Sequence, residues 1–90
     1  LIIRDVLTHY SRKDIKKALN NIKRNMPKYV LITDSPDQTF NPDITTGNWS
    51  AIALQNHPYN FPDPILRIEE YYEGKFVSIW KIDDIPSFQV

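Results

Sequence analysis

The feature that most constrains this chain is the segment 35–64, a third of the 90 residues, which holds five of the seven prolines and shows no helical periodicity. Proline removes a backbone donor and interrupts helices and central strands, so this segment is expected to supply neither. A connection of this length is either disordered or a packed functional loop. Its four aromatic residues favour the packed loop: Phe40, Trp49, Tyr59 and Phe61.

Two apolar runs lie ahead of this segment and predict strands. Residues 1–3 form the first run. Residues 29–33, Tyr-Val-Leu-Ile-Thr, form the second without alternation, which is typical of a strand covered on both faces. The segment between them predicts a helix over residues 12–25, which Pro27 ends. Strand, helix and strand in this order indicate a parallel crossover.

The predicted helix has a recognisable start and one apolar side. Ser11 stands three residues before Asp14, so its hydroxyl is placed to cap the helix while the carboxylate lies in the first turn. Apolar residues then recur at helical spacing on one side: Ile15, Ala18, Leu19, Ile22 and Met26. This side is expected to be buried, and the lysine-rich side to face solvent.

The last part of the chain predicts a β-hairpin. Residues 65–72 and 75–82 are strand-like runs, and Glu73 and Gly74 lie between them. Glycine tolerates the positive φ that a short turn requires, so the two runs should pair antiparallel.

These elements predict one α/β domain, residues 1–90, in the order β, α, β, long loop, β, β. A parallel crossover normally has helices on both faces of its sheet, whereas this chain offers one helix. Because large apolar patches rarely stay exposed on monomers, we expect a homo-oligomer or a missing amino-terminal half. The apolar run that starts at Leu1 fits a chain that enters in the middle of a strand, and therefore a fragment.

Composition narrows the classes of partner. Lys plus Arg and Asp plus Glu number 11 each, so there is no general attraction to nucleic acid or acidic membranes. Seven of the basic residues lie between Arg12 and Lys28, as on a solvated helix side. No stretch is apolar for the roughly 18 residues of a membrane span, and there is no cysteine. We therefore expect a cytoplasmic protein with no membrane or nucleic-acid partner. The aspartates lack the spacing of a calcium loop, so no metal site is expected.

A series of short motifs runs along nearly the whole chain. They are residues 4–9 (Arg-Asp-Val-Leu-Thr-His), 16–23, 28–33 (Lys-Tyr-Val-Leu-Ile-Thr), Asn41, Asp43, Ile44, 47–49 (Gly-Asn-Trp), 58–64 and 78–82 (Ser-Ile-Trp-Lys-Ile). None of them is diagnostic alone. As an ordered set they resemble a group of class I S-adenosylmethionine-dependent methyltransferases.

That resemblance implies a fold and an activity. The family has a seven-stranded sheet whose last two strands form an antiparallel hairpin, so this chain would be the carboxyl-terminal half of a Rossmann-like methyltransferase sheet. The parent protein would transfer a methyl group from S-adenosylmethionine to a small-molecule or other acceptor. The family binds this cofactor with a glycine-rich turn and an acidic residue after its first two strands, which Gly47 and Gly74 cannot replace. The cofactor-binding residues are therefore unknown, and the chain alone is expected to bind no cofactor and to be inactive.

The candidate site residues follow the predicted parallel strands, where open α/β sheets bind ligands. Asp5 and His9 follow the first strand and are the catalytic candidates, because either could accept or orient a proton. Arg4 beside them is a substrate-binding candidate. Thr33 and Asp34, after the second strand, are two more.

Asn41 and Trp49 complete the substrate-binding candidates, because the resemblance implies that the long loop borders the active site. Each candidate also has a structural alternative. His9 could pack or cap locally, Asp5 could pair with a basic residue, and Asp34 could hold the turn made with the following proline. Asparagines near proline and glycine are ordinary turn formers.

Overall fold

The computed structural model describes residues 1–4, 6–70 and 74–89. The catalytic candidate Asp5 and the predicted turn residue Glu73 lie outside the described residues. The elements are β1 (Ile2–Ile3), a 3-10 turn (Leu7–His9), α1 (Arg12–Arg24), β2 (Tyr29–Asp34), β3 (Leu66–Glu69), β4 (Phe76–Lys81) and a second 3-10 turn (Ile82–Asp84).

Four strands form one mixed sheet in the order β1-β2-β4-β3. β1 and β2 are parallel, and β4 is antiparallel to both of its neighbours. The predicted crossover and hairpin are therefore confirmed. β1, β2 and β3 run in one direction, and β4, the last strand of the chain, is inserted between β2 and β3 in the opposite direction. The carboxyl ends of β1, β2 and β3 meet at one edge of the sheet.

Helix α1 begins where the sequence predicts, because Ser11 caps it. The Ser11 hydroxyl oxygen accepts a hydrogen bond from the Asp14 backbone N–H at 3.2 Å. Ile15 and Leu19 are buried, as expected from their spacing. The placement of Met26 on the buried side is wrong, because the helix ends at Arg24 and Met26 has a φ of 51°. This left-handed conformation leaves the Met26 side chain exposed.

Helix α1 and the long loop together cover one face of the sheet. Val30 and Ile32 of β2 face this layer and are fully buried. On the same side, the Phe61 ring meets the Trp80 ring edge-on at 4.9 Å, and Trp80 Nε1 donates to the Pro62 carbonyl at 2.9 Å. The loop therefore covers this face as a second helix would, and its residues 52–54 are buried in the core.

The prediction that the loop is packed by four aromatic residues is half confirmed. Tyr59 and Phe61 are buried in the core. The same expectation is wrong for Phe40 and Trp49, whose side chains are more than half exposed. The loop therefore divides into a segment that packs on the sheet and a segment that carries aromatic side chains at the surface.

The other face of the sheet is open among the described residues. Ile2, Leu31, Ile79 and Leu66 are paired in one row across all four strands. Ile2 is 65 % exposed and Leu66 54 %, whereas Thr33 and Val77 in the next row of this face are buried, so the predicted bare face is confirmed in part. The expectation that β2 is covered on both faces is confirmed in part, because on this face Tyr29 is exposed, Leu31 is half-buried and Thr33 is buried.

The difference between the two faces predicts different costs for the same substitution. Ile15→Val removes a methyl group from the packed core and should lower the free energy of unfolding by about 1 kcal/mol. Ile2→Val makes the same change on the open face and should alter it by less than about 0.5 kcal/mol. Urea unfolding of the two variants measures both values. An equal loss at both positions would contradict an open face in solution.

Candidate functional site

The candidate residues gather at the edge where the parallel strands end. Arg4 follows β1, and Thr33 and Asp34 end β2. The Arg4 guanidinium makes a two-pronged ion pair with Glu70, with both N to O distances at 2.9 Å. Glu70 follows β3, so this pair joins the ends of the two outermost strands across the edge. Because the Arg4 side chain is largely exposed, its contribution to stability is at most about 1 kcal/mol.

His9 ends the 3-10 turn after β1 and is bound to the long loop. Its backbone carbonyl accepts from the Gly47 N–H at 2.8 Å, and its ring Nδ1 lies 3.1 Å from the Asn48 carbonyl oxygen. Two residues further along the loop, the Ser50 N–H donates to the Thr8 carbonyl at 2.9 Å. Trp49 lies between these two tethers with its indole exposed. The structure thus places Trp49 in the loop segment whose backbone is bound to His9 and Thr8.

The same loop also binds the start of α1. The Thr46 hydroxyl accepts from the Ser11 N–H at 2.9 Å, and an Asp43 carboxylate oxygen accepts from the Arg12 N–H at 3.1 Å. The first N–H groups of a helix have no partner within the helix, so a polar loop is well suited to bind them. These bonds fix the loop on the surface next to His9.

Asp34 is buried and engaged in a polar network. One carboxylate oxygen accepts from the Leu54 N–H at 3.0 Å. The other accepts from the Ser78 hydroxyl at 3.1 Å and from the Arg67 guanidinium at 3.2 Å. Arg67 also donates to the Gln55 side chain. With 1 % of its surface exposed, Asp34 joins β2 to the loop, β4 and β3, and this geometry favours a structural role.

The Asn41 side chain is likewise engaged, through hydrogen bonds to the backbone of the long loop. Its side-chain N–H₂ donates to the carbonyls of Ala53 and His57, and its side-chain oxygen accepts from the Ala53 N–H at 2.9 Å. Asn41 is buried, and so is Thr33. Substrate binding by Thr33, Asp34 and Asn41 stays a prediction, whereas Arg4, His9 and Trp49 have side chains that solvent reaches.

Two residues of the polar network, Arg67 and Ser78, were missed by the sequence analysis. A signal for them exists, because each is a polar residue between two apolar neighbours in a strand-like run. A polar side chain at such a position is either solvent-facing or paired in the interior. Only the partner across the sheet decides between these outcomes, and that partner is distant in sequence.

Burial and neighbouring charges also change the pKa of Tyr59, a core residue of the long loop. Burial raises the pKa of Tyr59 to about 12, and the Asp43 carboxylate adds to this rise while Arg12 opposes it. The phenol therefore stays protonated throughout the neutral range. It serves the core rather than acting as a proton acceptor at the surface.

Comparison with models of known families, with curated proteins and with solved structures finds no match. Within the described residues, no group of three or more acidic or histidine side chains could hold a metal ion. None of the helices described has the length and apolar character needed to cross a membrane.

The residues present do not fit S-adenosylmethionine. Such a site needs a glycine between a parallel strand and the following helix, where the backbone must approach the ligand closely. Gly47 lies instead in the turn of residues 45–48, and Gly74 precedes β4. Binding of S-adenosylmethionine would require residues in addition to those of the 90-residue chain.

The Asp34 network predicts a large effect on stability. Asp34→Ala should lower the free energy of unfolding by about 3 kcal/mol, because it leaves the partly buried Arg67 without its counter-charge. Asp37→Ala removes an exposed carboxylate nearby and should change it by less than about 0.5 kcal/mol. Chemical denaturation compares the two. Equal effects would show that the Asp34 contacts contribute little.

Proposed function

We propose that this chain is the carboxyl-terminal, substrate-side half of a class I S-adenosylmethionine-dependent methyltransferase domain. The observation that carries the proposal is that the ordered motifs fall on a β-α-β unit, a long loop and an antiparallel hairpin, with His9 bound to the Asn48 carbonyl of the loop after β1. The acceptor is a small molecule with a reactive oxygen or nitrogen.

The exposed site suits proton removal and positioning. Neutral imidazole accepts a proton near neutral pH, and the exposed ring of His9 is accessible to a small molecule. The Trp49 indole offers a flat apolar surface on which an acceptor can be oriented. Holding the acceptor in a reactive geometry supplies most of the rate gain in such transfers. Asp5 remains a second proton-accepting candidate.

An additional half-domain would also complete the sheet. β1 has two residues and pairs with β2 on one side, and no described strand pairs with its other side. Ile2 on this strand is exposed, as are Leu66 and Ile68 on the open face. Further strands beside β1 and helices over the open face would bury these side chains, as parallel sheets require. The chain alone lacks the cofactor site and should be inactive.

The proposal predicts that the reading frame extends upstream of Leu1 by about 120 residues, the size of one further half-domain, and includes a glycine-rich turn after a strand. The extended protein should bind S-adenosylmethionine in calorimetry and transfer its labelled methyl group to a hydroxyl- or amine-bearing acceptor. His9→Gln should lower turnover about 100-fold or more without affecting cofactor binding.

Matched loop variants separate the acceptor site from general loop stability. Trp49→Ala should raise the KM for the acceptor, whereas Phe40→Ala, an equally exposed aromatic residue of the same loop, should leave it unchanged. A frame without an upstream glycine-rich turn, or an extended protein that binds no cofactor, would refute the methyltransferase proposal.

The open apolar face favours one alternative, a non-enzymatic module that self-associates through this face. Sedimentation should then show a concentration-dependent homo-oligomer, and Leu66→Lys should convert it to a monomer. Ile65→Lys is the matched control, because the neighbouring Ile65 is also 54 % exposed but precedes β3 and is not part of the paired row of the open face. A wild-type chain that is monomeric at all concentrations would exclude this module.

A further inference from the structure

The His9 ring has a backbone carbonyl as the partner of its Nδ1 atom. That atom lies 3.1 Å from the backbone carbonyl oxygen of Asn48. A carbonyl oxygen only accepts hydrogen bonds, so Nδ1 must carry the hydrogen. In the neutral ring the other nitrogen, Nε2, then holds a free lone pair. We propose that the turn of residues 45–48 is a positioning element that fixes this tautomer of His9 and leaves Nε2 as the proton acceptor.

Two backbone hydrogen bonds hold the turn, and with it the Asn48 carbonyl, in place. The Asn48 N–H donates to the Thr45 carbonyl at 3.0 Å, which closes a four-residue turn. Its third residue, Gly47, has a φ of 107°, which a side chain would strain. The Gly47 N–H also donates to the His9 backbone carbonyl. His9 is therefore bound to one turn at two points, through its backbone and through its ring.

This arrangement gives the ring a direction for proton transfer. A hydroxyl or amine at Nε2 would pass its proton to the Nε2 lone pair and keep the bonding electrons on its own oxygen or nitrogen. The resulting imidazolium would be stabilised by the Asn48 carbonyl, because charge-assisted hydrogen bonds are stronger than neutral ones. Nε2 has no hydrogen-bond partner in the part of the chain described. This use of the tautomer rests on the proposed function; the tautomer itself does not.

The tautomer is measured directly by ¹H–¹⁵N correlation spectra of the 90-residue chain labelled at histidine nitrogens. The spectra are recorded well above the ordinary histidine pKa of about 6.5, where free neutral histidine favours the Nε2–H form. His9 should show mainly Nδ1–H. The second histidine, the exposed His57, provides the internal reference and should show the solution preference. His57→Gln assigns the two signals.

Two alanine variants test whether the turn sets the tautomer. Gly47→Ala should shift the ratio of the two His9 tautomers about fivefold toward Nε2–H, as expected on losing a hydrogen bond of about 1 kcal/mol. Gly74→Ala is the matched control, because Gly74 also has a positive φ and neither added Cβ would meet an atom within 4 Å. It should leave the His9 signals unchanged.

The outcomes decide between the proposals. Mainly Nε2–H at His9 in the wild type, or no change in Gly47→Ala, would overturn the positioning role. If Gly47→Ala does not fold, the wild-type spectrum decides: mainly Nδ1–H at His9 supports the positioning role, and mainly Nε2–H overturns it. The tautomer is measured without substrate or cofactor. An inactive extended protein with Nδ1–H at His9 would therefore refute the transferase and leave the positioning role standing.

Discussion

The buried Asp34 carboxylate is the contact on which the rest of this structure depends. It ends β2 and accepts hydrogen bonds from the loop backbone, from Ser78 of β4 and from Arg67 of β3. A carboxylate without water is stable only when such donors surround it. The network therefore favours one arrangement of the sheet, in which β4 lies between β2 and β3 and residues 52–54 lie against the carboxyl end of β2.

This arrangement explains why a proline-rich loop can replace a helix. The loop covers a sheet face with a few anchored residues, including the buried Asn41, Tyr59 and Phe61. Their bonds go largely to the loop's own backbone, as in the pairing of Asn41 with Ala53. A loop that satisfies its own polar groups can be buried at little cost. On the opposite face, Ile2 and Leu66 remain exposed.

The local elements could be predicted from the sequence, because their causes are local. The Ser11 cap fixes the start of α1, and Gly74 lies where the hairpin turns. The strand order and the pairing of Asp34 with Arg67 could not, since both depend on partners more than 30 residues apart. Of the site residues, His9 was predicted from its place after β1, whereas its contact with Asn48 depends on how the loop docks. The exposure of Trp49 has the same origin.

The loop couples stability to the candidate chemistry. The segment 52–61 contributes buried side chains to the core. The segment 47–49 is exposed at the surface, and its backbone binds His9. Between these segments, Ser50 is tied to the backbone of the 3-10 turn. Packing of residues 52–61 in the core therefore limits the positions that residues 47–49 can adopt. A histidine on a short turn would otherwise sample both tautomers in water. Held by the loop, it presents one nitrogen to solvent as an acceptor.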